Sequence, residues 1–100
     1  MKKIKDYVKQ IDDELCGAKE YMEKALWYKA KGNNIRYTKY KEMAIQELSH
    51  ADNIHTFAVE DITELQKVYP EVPKKMMDSW EKSHAEYVER EAWIKQMLTM

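Results

Sequence analysis

Residues 14 to 50 read ELCGAKEYMEKALWYKAKGNNIRYTKYKEMAIQELSH, and the fold turns on Gly32-Asn33-Asn34 in its middle. Glycine and asparagine tolerate the backbone conformation that ends a helix, so this triplet is a helix stop. On both sides of it apolar and aromatic residues recur at steps of three and four, the spacing of one helical face. The stretch is therefore expected to be a helix, a tight turn and a second helix.

The second interruption is Pro70-Glu71-Val72-Pro73, which breaks any helix that would cross it. Three helices result, near residues 3 to 31, 35 to 69 and 74 to 98, each roughly 35 to 50 Å long at ~1.5 Å per residue. With two Gly, two Pro and no run of β-branched residues, the 100-residue chain is expected to be all-α. Its length suits one helical domain over 1-100, with the helices running up, down and up. Gly17 lies inside the first helix, where it costs about 1 kcal/mol relative to Ala, so close packing is expected there.

Seventeen basic and eighteen acidic residues give a formal charge of -1 with no basic tract, an arrangement unsuited to nucleic acid. The first fifteen residues carry lysines but no apolar core of a signal peptide, and no eighteen apolar residues run together. No membrane contact is expected, and the expected compartment is the cytoplasm. Cys16 is the only cysteine, without a partner for a disulfide or for thiolate metal ligation, and reads as a small packed residue. Three Trp and seven Tyr are many for a small chain. With long helices around a modest core, they point to a homo-oligomer of at least two chains.

Along the first helix the inward stripe is Ile4, Tyr7, Ile11, Glu14, Ala18, Tyr21, Ala25 and Tyr28; along the second it is Tyr37, Tyr40, Ala44, Glu47, Ala51, Ile54, Ala58 and Leu65, with Met43, His50 and Phe57 on the adjoining row. Glu14 and Glu47 are acids on otherwise apolar stripes, and burying a carboxylate is costly unless a cation or a partner neutralises it. Counting back from the bend puts Glu14 within about one turn of the height of Glu47 and His50. Two accounts fit this pattern: Glu47 paired with a lysine beside an ordinary core histidine, or half of a di-metal carboxylate site. A second Glu-x-x-His unit, Glu81 and His84, lies on the third helix, but helix geometry sets it ~15 Å from the first in height. At the height of His50 the third helix presents Glu91 instead. His55, five residues past His50 on another row, reads as structural.

The segment from Glu14 to Gly32 resembles helix A of bacterioferritin, with the acid, Tyr21 seven residues on, Ala25 eleven on and the closing glycine. YKEMAIQELSHADNI, residues 40 to 54, resembles helix B of bacterioferritins and rubrerythrins, whose hallmark is E-x-x-H-A, and the thirty-three residues from Glu14 to Glu47 match those families. EKSHAEYVERE resembles the second Glu-x-x-His helix of the same superfamily. The resemblance implies a ferritin-like fold, with Glu14, Glu47 and His50 as metal ligands, Tyr21 as a hydrogen-bonding residue behind them, and Glu81 and His84 as ligands from the last helix. It also implies iron, with Mn or Zn able to use the same donors, and oxidation of Fe(II) by oxygen or peroxide.

One whole ferritin helix is missing, so a single chain lacks the full ligand set. Encapsulated ferritins, similarly short, complete the centre across a two-fold axis. Two copies of Glu14, Glu47 and His50 give the four carboxylates and two imidazoles of one ferritin bundle. Glu91 is then an outlying candidate for a ligand or a supporting acid. The competing expectation, from a different class, is a helical assembly or adaptor protein that keeps the ferritin-like scaffold without redox chemistry.

Overall fold

The structure, a computed structural model, describes residues 2–69 and 74–100, so the Pro70-Glu71-Val72-Pro73 interruption lies outside the described residues. The chain is all-α, with α1 at Lys2–Ala30, α2 at Asn34–Val68 and α3 at Lys74–Leu98. The hairpin bend is built from backbone hydrogen bonds that the sequence makes available. Gly32 takes a left-handed φ of 76°, its N–H donates to the Lys29 carbonyl and the Asn33 N–H to the Tyr28 carbonyl, each at 3.0 Å. This is a Schellman closure, which satisfies carbonyls the helix end would otherwise leave unpaired. Asn33 then begins α2: its side-chain oxygen accepts from the Arg36 N–H at 3.1 Å.

α1 and α2 run antiparallel, since Tyr7 donates to Asp61, Glu14 meets His50 and the Tyr21 ring lies against Tyr40. Between them the fully buried residues are mostly small: Ala18 and Ala25 on α1, Ala44, Ala51 and Ala58 on α2, each set spaced by seven. Alanines at that spacing let two helices approach along their whole length. Leu15, Met22, Ile94, Met97 and Trp80 complete the core with Ile4, Ile11, Leu48 and Ile62.

α3 runs beside α1 in the same direction, where Arg90 forms an ion pair with Asp12, and antiparallel to α2, where Tyr87 bonds Asp52 and His84 meets His55. The faces used decide what stays open. Asp12 and Cys16, both touched by Arg90, are each two residues from Glu14 and so lie about 160° round α1 from it. His55 lies about 140° round α2 from His50. α3 thus covers one flank of the hairpin, and the flank bearing Glu14 and His50 is the other.

This corrects the inward stripes read from the sequence. The core axis is rotated toward α3, so Leu15, Met22, Leu48 and Ile62 are buried although the stripes omit them, while Met43 and Phe57 are exposed. Among the described residues no polar or charged side chain is fully buried; Glu14 and Glu47 sit at the edge of the core and His50 outside it. The molecule is a rod of 56 × 18 × 17 Å.

No heavy atom lies within 4 Å of a Cβ built on Gly32, so Gly32→Ala tests the backbone alone. The substitution is expected to cost about 1 kcal/mol, lowering the thermal midpoint by ~4–8 °C for a domain of this size. An unchanged midpoint in a melting experiment would show that the closure does not constrain the hairpin.

Candidate metal centre

Glu14 reaches the centre from the middle of α1, and Glu47 and His50, one turn apart, reach it from the facing turn of α2. His50 Nδ1 lies 3.5 Å from a Glu14 oxygen and 3.9 Å from a Glu47 oxygen. One donor atom from each of the three residues falls within 4.8 Å of the others, and among the described residues no other group of three or more His, Cys, Asp or Glu does so. The Glu14 and Glu47 side chains are 21% and 26% exposed and that of His50 57%, so the carboxyls are lodged at the seam while the imidazole faces outward.

Gly17 makes room for this. A Cβ at that position would stand 3.1 Å from Glu47 Oε2, tighter than ordinary contact. The glycine, one turn after Glu14, therefore lets the Glu47 carboxyl lie flat against α1 beside Glu14. Close packing is what the sequence suggests for a glycine here, and the group that exploits it is the carboxylate itself.

Two carboxyls that close cannot both be ionised cheaply. The hydrogen bond with Glu14, followed by burial and the Glu14 charge, pushes the Glu47 carboxyl up to about 7, against a smaller opposing pull from His50. The pair thus shares a proton near neutrality. A divalent cation is the natural replacement for that proton, because it satisfies both carboxylates and accepts the imidazole lone pair at once. Two acids and one imidazole are a donor set for Fe, Mn or Zn.

The remaining candidates fall elsewhere. Tyr21 is half-buried on the Glu14 flank, its ring 6.2 Å from that of Tyr40 and beyond the converging donors. Glu81 is exposed. His84 meets His55, with Nε2 of His55 2.8 Å from Nδ1 of His84. His55 was legible only as a structural residue, and no spacing rule within one helix would have paired it with a residue on another. Glu91 lies on the α3 side, bonded to Lys95 and close to Asp52 and Tyr87. Burial would raise Glu91, yet hydrogen bonds involving Asp52, Lys95 and Tyr87 hold it below its ordinary value. Burial and the Glu91 contact raise Asp52. One Glu91 oxygen is buried without a conventional partner. The two Glu-x-x-His units therefore serve opposite flanks of the hairpin.

Because Glu47 holds its proton more tightly folded than at its ordinary value of 4.5, its contribution to stability is complete below that value and is lost as pH rises to about 7. With the neighbouring solvent screening the pair, the loss is about 1 kcal/mol. Metal-free Glu47→Gln should abolish this decline when urea unfolding is compared at pH 5 and pH 8; an identical decline in wild type and variant would refute the shared proton. Gly17→Ala should leave metal-free stability unchanged or raise it by up to ~1 kcal/mol through helix propensity, while metal affinity falls because Glu47 is displaced. Unaltered affinity by calorimetric titration would show that the glycine does not serve the carboxylate.

Set against protein-family models, curated proteins and solved structures, the chain matches none.

Proposed function

We propose that this chain is a small ferritin-like metal-binding protein whose binuclear centre is completed when two copies appose their Glu14–Glu47–His50 flanks, and that the bound metal is iron, oxidised there from Fe(II). The observation that carries this reading is the convergence of two carboxylates and one imidazole, from two different helices, on the flank that α3 leaves uncovered. Three donors leave a metal under-coordinated; two copies pool four carboxylates and two imidazoles, and carboxylates shared between two metals would raise the coordination of each. An isologous contact places identical patches face to face, and a site at the axis is doubled by that symmetry. Met43 and Phe57, exposed one step of seven to either side of His50 on α2, are apolar surface that such a contact would cover.

The donor set fits the role. Iron held there supplies one-electron chemistry, two Fe(II) giving up one electron each to reduce dioxygen with two protons to hydrogen peroxide, or peroxide to water. The chain's part is to bind and orient. Glu47 and Glu14 would hold the cation, Glu47 giving up its shared proton on binding, and Gly17 leaves room for the Glu47 carboxyl against α1. His50, on the solvent side, is the donor nearest the entering ion. Mn or Zn would occupy the same donors without changing these roles.

Exposed Trp27, Ile35, Val68 and Trp93 lie away from the ligands and favour a second reading, a helical assembly or adaptor protein without redox chemistry. Among the described residues no helix is long and apolar enough to cross a membrane, so these residues are better matched to protein contacts than to a span.

Expression with added iron, followed by metal analysis and light scattering, separates the two readings. The expected result is one metal per chain in a dimer or larger species, falling sharply in Glu47→Ala and His50→Ala. Fewer than one metal per two chains in the wild type, or a monomer at micromolar concentration, would overturn the binuclear dimer and leave the assembly reading standing.

A further inference from the structure

The pairing of His84 with His55 is a feature that the first centre does not use. These two side chains bridge α2 and α3 on the flank opposite Glu14, their ring nitrogens 2.8 Å apart. His55 is fixed in place by aromatic neighbours: the Tyr87 ring stacks on it at 4.3 Å with 9° between planes, and Trp80 lies at 5.5 Å. His84 is exposed and free to adjust. One half of the pair is thus preorganised and the other is adaptable.

We propose that His55 and His84 form a second metal site, a two-imidazole clip between α2 and α3 for a borderline divalent cation of the Zn(II), Cu(II) or Ni(II) class. Two neutral imidazoles at this separation share one N–H···N hydrogen bond; with that hydrogen moved to the donor ring's other nitrogen, both facing nitrogens offer lone pairs that a cation can accept. Nitrogens each about 2.0–2.1 Å from a tetrahedral metal lie ~3.3 Å apart, so the pair must open by only about half an ångström. The exposed His84 provides that movement, and water fills the remaining positions on its open side.

The surroundings favour the ion in two further ways. Burial, with the neighbouring His84 charge, holds His55 below its ordinary value, which keeps it in the neutral form a metal requires. Glu91, whose charge is felt at His55, supplies negative charge just outside the pair without itself converging on it. Imidazole donors without a carboxylate select Zn, Cu and Ni over Mg, Ca and Mn. The two sites therefore differ in preference: acid-rich at Glu14, Glu47 and His50, imidazole-only at His55 and His84. The ion would also tie α3 to α2, which meet here mainly through long side chains.

The test uses a His50→Ala, Cys16→Ser background, which removes the first centre and the lone thiol, so its outcome is independent of the iron reading. Titration with Ni(II) or Cu(II), followed by calorimetry and by nitrogen hyperfine structure in the Cu(II) resonance spectrum, should show one ion per chain coordinated by two imidazole nitrogens, with a rise in thermal midpoint. Adding His84→Ala should weaken binding by at least ~10-fold, the loss that even an outer-sphere partner commonly causes, as should His55→Gln. Glu81→Ala should have no effect. Because His84 is exposed, its variant remains folded by circular dichroism and decides the matter even if His55→Gln does not fold. Absence of stoichiometric binding in the background protein, or binding that persists in the His84→Ala variant, would overturn the proposal.

Discussion

The close approach of α1 and α2 is the constraint on which everything else depends. Ala18 and Ala25 face Ala44, Ala51 and Ala58, all fully buried, and larger residues at these positions would force the helices apart. Spacing by seven keeps the small residues on one seam along two long helices. With the seam this tight, side chains just off its centre meet directly. Glu14, Glu47 and His50 do so on one flank, and on the same flank Tyr7 reaches Asp61 at 2.7 Å. A wider separation would leave the two carboxyls apart, each ordinarily solvated, and the shared proton that raises Glu47 would be lost.

The seam also determines where α3 lies. A hairpin of two helices has two flanks; Met43 and Phe57 on one stay exposed, whereas the large apolar side chains buried beside the seam lie toward the other: Leu15 and Met22 from α1, Leu48 and Ile62 from α2. Trp80, Ile94 and Met97 cover these, while Arg90 bonds to Asp12 and Cys16 on the outer side of α1. The opposite flank carries acids, tyrosines and His50, which make a poor seat for another apolar helix within the chain. Apolar burial supplies most of the drive for packing, so α3 takes the apolar flank and the polar donors remain accessible.

This asymmetry marks the limit of what was legible in the sequence. The helix ends followed from Gly32-Asn33-Asn34 because a left-handed glycine is a local requirement. The meeting of Glu14 with Glu47 and His50 followed from counting residues back from that bend, since antiparallel helices joined by a short turn have a fixed register. The rotation of the core was not legible: periodicity identifies a stripe but not which edge of it a third helix will cover, and that choice is made by tertiary packing. For the same reason Leu15 and Leu48 were absent from the expected core and His50 was expected to point inward. His55 had the weakest signal, because its partner His84 lies on another helix and no spacing within one helix fixes that register.

The two similar-looking Glu-x-x-His units illustrate what makes a motif chemical. Within a single helix the spacing brings one carboxylate and one imidazole onto the same face, and both units satisfy it equally. What separates them is the opposing helix. ELSHAD meets Glu14 across a seam narrow enough for Gly17 to matter, and its glutamate is drawn into a three-donor group. EKSHAE faces α2 across a wider gap spanned by aromatic and histidine side chains, so Glu81 stays in solvent and only His84 finds a partner. The opposing helix, not the spacing, thus decides which side chains of a like-spaced motif are drawn together.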